Sequence, residues 1–219
     1  MPVTDAYASV AEYRSHIGKS ETAEDATVLS PALAAVSRLL DKQTGRFFTK
    51  DALALARVFS GLDAMRLYLP DIASLTGLIV KVDLNADWDY VDADETLTKD
   101  THFFVGPENA DKGPEPQPWR WLDIVPNNGR LDRWRRNVWG EDAAQVLRFV
   151  EVTALWGWPA VPGAIREATI LITREILDLE KSGFSLALQN IDTAVNLAPA
   201  AFSIVQRIKR EYGNTSLFV

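Results

Sequence analysis

The chain has no cysteine and only two histidines and two methionines in 219 residues. Without cysteine there is no disulfide framework, no thiolate nucleophile and no cysteine-ligated zinc. That fits a protein made in a reducing cytosol. The histidines, His16 and His102, lie far apart, and neither has a carboxylate at a known ligand spacing. No window approaches the ~18 uninterrupted apolar residues of a membrane span, so no membrane contact is expected. The opening MPVTDAYASVAEYRSH has no basic start followed by an apolar run, so no secretory signal is expected. His-Glu-x-x-His, Gly-x-Ser-x-Gly and Walker-type patterns are missing. IGKSE contains Gly-Lys-Ser but lacks the upstream glycine and the preceding strand of a phosphate cradle. Nothing supplies a nucleophile with a positioned base. The chain therefore reads as a non-enzyme with no cofactor.

What is present is a globular composition, 47% hydrophobic and 24% charged, long enough for a sizeable core. The net charge is −7. A surface this acidic repels phosphate on average, so whole-surface nucleic-acid binding is not expected.

Hydrophobic periodicity divides the chain. Ser9 and Glu12 have capping-box spacing ahead of a short helix stopped by Gly18. Ser30 and Pro31 read as the start of a second helix, with Leu33, Val36, Leu39 and Leu40 on its apolar face and Gly45 at its end. A start near Asp25 would put Pro31 inside the first two turns, and the later start is preferred. From Arg57 to Trp156 come short runs rich in β-branched and aromatic residues: RVFSG, RLYLP, GLIVKVDL, THFFV, RWLDIV and VLRFVEVTALW. Gly61, Pro70, Gly77, Gly106-Pro107, Asn127-Asn128-Gly129 and Gly140 read as the turns between them. After Pro162 a helix carries Ile165, Ala168, Ile172, Ile176 and Leu179 on one face. SLALQNIDTAVNLA is ambiguous. A last helix, about Pro199 to Tyr212, is expected to put Phe202, Val205, Ile208 and Tyr212 on one side. The fold class is α+β: a helical bundle of two N-terminal and two C-terminal helices (1–56 and 157–219) with an inserted small antiparallel β-domain (57–156). Residues 106–118 form a proline-rich loop in that domain.

Two clusters carry charge. Asp83, Asn85, Asp87, Asp89 and Asp94 fall at calcium-loop places, but Trp88 holds the place that needs glycine and Asp94 the place of the bidentate glutamate. An acidic, solvated hairpin is the preferred reading, with no metal. Arg130, Arg133, Trp134, Arg135, Arg136 and Trp139 form a basic, aromatic stretch. It suits a nucleic-acid backbone, a solvent-facing loop, or an acidic patch on a neighbouring protein. The loop is favoured. Seven tryptophans suit a thin β-layer filled by large side chains. They also suit a carbohydrate- or ligand-binding β-module using Trp119, Trp121, Trp134 and Trp139, with metal at Asp87 and Asp89.

The order of features resembles the head-to-tail connector (adaptor) proteins of long-tailed bacteriophages and gene-transfer agents. The resemblance is carried by TDAYASVAEYRSHIG, by EDATVLSPALAAVSRLLDKQTGRFF with its Thr44, Gly45, Arg46 and Phe48 end, by LYLPDIASLTGLIVKVDL, and by VEVTALWGWPAVPGAIREATILI. The last helix, FSIVQRIKREYG, matches loosely. SLALQNIDTAVNLA, the acidic hairpin and the proline-rich loop depart from the family's pattern. The resemblance implies a structural virion protein made in the host cytoplasm and built into the head-tail neck. It implies a ring, commonly a dodecamer, on the portal protein. Such a ring extends the DNA channel and offers a platform for a stopper or tail-completion protein. DNA would pass without sequence-specific binding, and an acidic wall would let it slide. Arg130, Arg133, Trp134, Arg135, Arg136, Arg207, Lys209, Arg210, Leu217 and Phe218 are the candidate portal or subunit contacts. Trp156, Gly157, Trp158, Pro159 and Pro162 read as a structural elbow. Glycine lets the chain leave the strand sharply, Pro159 holds Trp158 extended, Pro162 admits a helix start, and the tryptophans would wedge sheet against helix.

Overall fold

The structure is a computed structural model. It describes residues 6–18, 26–59, 66–83, 89–92, 95–125, 150–181 and 191–213. The chain forms two compact units, one of residues 1–48 with 161–219 and one of residues 49–160. No helix among the described residues is long and apolar enough to cross a membrane.

The first unit is helical. Helix α1 (Val10–Ile17) begins with a complete capping box: Ser9 Oγ accepts from the Glu12 amide at 3.1 Å and Glu12 Oε2 accepts from the Ser9 amide at 2.7 Å. Helix α2 (Ala26–Thr44) starts earlier than the Ser30-Pro31 signal suggests and holds Pro31 within it. Leu29 is fully buried and stands four residues before Leu33 and seven before Val36, so the apolar stripe begins ahead of the proline. Burying Leu29 offsets the hydrogen bond that Pro31 cannot donate, a loss confined to the first turns. Helix α3 (Gly163–Lys181) buries Ile165, Ala168, Ile172 and Ile176, as its spacing suggests. It also buries Thr169, Ile170, Thr173 and Leu177. The two threonine hydroxyls donate to the carbonyls of Ile165 and Thr169, at 2.8 and 2.7 Å, which makes them compatible with burial. One apolar cluster joins Tyr13, Leu29, Leu33, Ile170 and Leu177.

Part of the ambiguous segment is helical, as α4 (Ile191–Leu197), followed by α5 (Pro199–Tyr212). In α5 the inward stripe is Ala201, Val205 and Ile208. Phe202 is 43% exposed, contrary to the side assigned to it from the sequence. The reason is angular: 201, 205 and 208 follow the four-then-three spacing of one face, and Phe202 stands about 100° round the axis from Ala201.

The second unit is a six-stranded antiparallel sheet in the order β1-β6-β2-β5-β4, with β3 pairing β2. The strands are β1 (Leu55–Phe59), β2 (Arg66–Val82), β3 (Thr96–Leu97), β4 (Phe103–Gly106), β5 (Trp119–Ile124) and β6 (Val150–Trp156). The α+β class, helices with a small antiparallel sheet, is thus what the chain adopts. Strand β2 corrects one expectation. RLYLP and GLIVKVDL are not two strands divided by turns at Pro70 and Gly77 but one 17-residue strand. Its register shifts between Tyr68 and Ile72, between Ile72 and Ser74, and between Ser74 and Ile79. Pro70 and Gly77 fall inside the first and last of these irregularities, where a missing donor and a φ of +76° are absorbed by the bulge. Between the bulges Ile72 pairs with Trp119 on one side and Trp156 on the other. The core gathers Leu67, Ile72, Val80, Phe103, Trp119, Leu122, Val152 and Trp156.

Candidate functional site

The strand-to-helix junction is built as follows. Along β6 Val150, Val152, Ala154 and Trp156 are buried and Glu151, Thr153 and Leu155 are half-buried, the two-residue alternation of a strand. Gly157 follows at φ +106°. Its amide donates to the Asp71 carbonyl at 2.7 Å, and its backbone bridges Lys50. Trp156 belongs to the β core. Its indole donates to the Leu55 carbonyl at 2.7 Å, Phe59 packs at 5.7 Å, and the Arg57 guanidinium lies 4.6 Å above its ring. Trp158 is buried and donates to Asp71 Oδ2 at 3.0 Å. Both of these indole hydrogen bonds are made inside the β unit. Pro159 lies in the bend that follows, and the Pro162 carbonyl accepts from Ile165 and Arg166 at 3.1 and 3.0 Å as α3 begins.

Asp71 was not singled out from the sequence. It sits in the middle of β2, receives Gly157 on its backbone and Trp158 on its carboxylate, and lies 3.5 Å from Arg120 Nε. Its only sequence signal is an acidic residue next to a proline within an apolar run.

The outer face of β2, β5 and β4 carries a second constellation. Arg66 grips Asp123 with two bonds, Nε to Oδ1 at 2.6 Å and a terminal nitrogen to Oδ2 at 3.0 Å. Trp121 Nε1 also donates to Asp123 Oδ2, at 3.1 Å, and Arg66 lies 4.8 Å above the Trp121 ring. The indole occupies the space where Gly106 has no side chain. A sugar-stacking platform would need open aromatic faces. Trp119 is only 8% exposed, in the core, and Trp121 already stacks with Arg66. Trp134 and Trp139 lie outside the described residues, as do Arg130, Arg133, Arg135 and Arg136.

Of the acidic hairpin, Asp83 is buried and Asp89 Oδ1 accepts from the Val91 amide at 3.2 Å. Asn85, Asp87 and Asp94 lie outside the described residues. No group of acidic or histidine side chains among the described residues is placed to hold a metal ion. His16 is exposed at the end of α1. His102 is buried, and its Nδ1 accepts from the Thr98 amide at 2.7 Å.

Of the candidate contacts in the last helix, Arg207, Lys209 and Arg210 are all exposed on α5. Leu217 and Phe218 lie outside the described residues. In the helical unit the Tyr7 hydroxyl donates to Asp41 Oδ1 and accepts from the Phe48 amide at 3.0 Å. Arg38 stands 3.1 Å from the other Asp41 oxygen. Burial pushes the Asp41 carboxyl up to about 6, against the opposing pull of Tyr7 and Arg38.

No protein-family pattern matches the chain, and no curated protein matches it. Among solved structures, the chain is similar to one from the neck of an empty GTA particle computed with C6 symmetry. The identity is 13%, the likeness covers 96% of this chain and 91% of that one, and the TM-score is 0.47.

Proposed function

We propose that this chain is a structural component of a virion neck, a head-to-tail connector that assembles as a ring on a portal vertex. The ring extends the DNA channel and presents a platform for a stopper or tail-completion protein. The role is assembly, with no catalytic step. What supports the reading is the ordered resemblance of four segments to connector proteins. The most distinctive of them, VEVTALWGWPAVPGAIREATILI, forms strand β6, a short link that begins at Gly157, and the long helix α3. The net charge of −7 suits a channel wall along which DNA slides without adhering.

The test is direct. Purified portal rings mixed with this protein are imaged by electron microscopy. The expected result is portals capped by a second, coaxial ring. Portals that stay bare at saturating protein, or a ring whose inner wall is mainly basic, would overturn the proposal.

A further inference from the structure

Helix α5 displays Arg207, Lys209 and Arg210 to solvent, and among the described residues none of the three is ion-paired. Lys209 and Arg210 stand in the last turn, where the negative end of the helix dipole favours cations. Arg207 lies further from that end, so the dipole alone does not account for the set. Ala201, Val205 and Ile208 tie the inner face of the helix down. Arg207 and Arg210, three residues apart, are therefore held together on the outer face, while Lys209 stands on a flank about 160° round the axis from Arg207, and Glu211 is their exposed acidic neighbour.

A patch of complementary charge lies in the β unit. Several of its acids are matched within the chain: Asp51 by Arg57, Asp71 by Arg120, Asp100 by Lys99 and Asp123 by Arg66. The loop between β4 and β5 exposes Glu108 and Asp111 beside Lys112. Among the described residues Glu108 and Asp111 enter no ion pair. The loop is also shaped. Ala110 is buried in the β core, its carbonyl accepts from Gln117 at 2.7 Å, and its amide donates to Pro107 at 3.1 Å. The acids therefore project from a hydrogen-bonded frame.

The geometry points to a contact between copies of this chain, in which the basic outer face of α5 seats against the acidic 107–117 loop of a second copy. Pairing α5 with α5 would set cations on cations, and pairing loop with loop would set acids on acids, so the unlike pair is the one that charge favours. Repeated from copy to copy, a contact between two different surfaces is the head-to-tail kind that a closed ring uses. The inference rests on the ring reading above and supplies it with two faces.

Because the chain has no cysteine, single cysteines report the contact cleanly. Arg210→Cys and Asp111→Cys are prepared separately, mixed, and treated with a short bismaleimide. The expected product is a covalent pair joining the two variants, in about tenfold excess over linkage within either variant alone, and lost as salt rises from about 0.1 to 1 M. Arg207→Glu with Arg210→Glu should weaken self-association in the ultracentrifuge by about tenfold or more, and adding the Glu108→Lys, Asp111→Lys chain should restore it. Circular dichroism confirms that the variants fold. An unmodified chain that assembles, with no 111–210 linkage and no effect of reversal, overturns this contact and leaves the ring reading standing. A chain that never self-associates, free or on portals, overturns both. Binding of the α5 face to nucleic acid instead, with no linkage between copies, also overturns it.

Discussion

Gly157 runs so close to Thr49 that a β-carbon on the glycine would lie 2.0 Å from the Thr49 carbonyl oxygen. The same residue has φ +106°, a conformation that side chains with a β-carbon rarely adopt. Two independent obstacles therefore meet at one position. The obstructing atom is backbone, held by the bridge between Lys50 and Gly157 and by the bond from the Asp51 amide to the Trp156 carbonyl at 2.8 Å. It has no rotamer through which to retreat.

Gly157→Val is therefore expected to cost about 3 kcal/mol or more, enough to unfold much of the population of a marginal domain. Gly77→Ala is the control. Gly77 also has a positive φ, at +76°, but nothing lies within 4 Å of where its β-carbon would be. That substitution should cost only about 1 kcal/mol of backbone strain. Urea unfolding of the two variants checks the contrast. Equal costs would mean that the approach to Thr49 is not what requires glycine at 157.

A different close approach occurs on the outer face of the sheet. A β-carbon on Gly106 would fall 2.1 Å from Trp121 Nε1 and 2.2 Å from its Cε2. Here the obstacle is a side chain, which can move. If it moves, Nε1 leaves Asp123 and the ring leaves Arg66. Gly106→Ala is expected to cost about 1–3 kcal/mol in the native sequence. In a Trp121→Ala background the same change should cost under about 0.5 kcal/mol, because the indole is gone. A double-mutant cycle by urea unfolding gives the coupling. Additive costs would show that the indole does not fill the glycine's space.

These positions also show how far the sequence could be read. Periodicity located β6 and α3 well, because Val150, Val152, Ala154 and Trp156 alternate and Ile165, Ala168, Ile172 and Ile176 recur at helical spacing. The capping box at Ser9 and Glu12 was legible because both partners are local. What failed was long-range. Pro70 and Gly77 resemble turn residues, and only the pairing of β2 with both β5 and β6 turns them into bulges within one strand. Pro31 marks a helix start unless Leu29 has a core to enter, and that core comes partly from α3. The two-residue strand β3 is too short for any period to register. Asp71 is a junction residue only because Gly157 and Trp158, far along the chain, come to it.

Asp41 ties pH to the stability of the helical unit. Its carboxyl is only 7% exposed, between the Tyr7 hydroxyl and the Arg38 guanidinium, which itself lies 5.3 Å above the Tyr7 ring. Burial outweighs both partners and raises the carboxyl from 3.8 to about 6. Burial, with Asp41 beside it, also raises the Tyr7 phenol, so Tyr7 stays protonated throughout this range. Between the two carboxyl values the folded chain holds a proton that the unfolded chain has released. The stabilisation from this group is therefore complete below about pH 4 and is lost as pH rises through about 6. Asp41→Asn keeps the neutral form at every pH, and its amide oxygen can still accept from Tyr7. Relative to the native chain, the variant should gain on the order of 2 kcal/mol between pH 4 and pH 7. Urea unfolding at a series of pH values measures the difference. If the two stability curves run parallel across that window, Asp41 titrates alike in the folded and unfolded chains, and burial does not govern it.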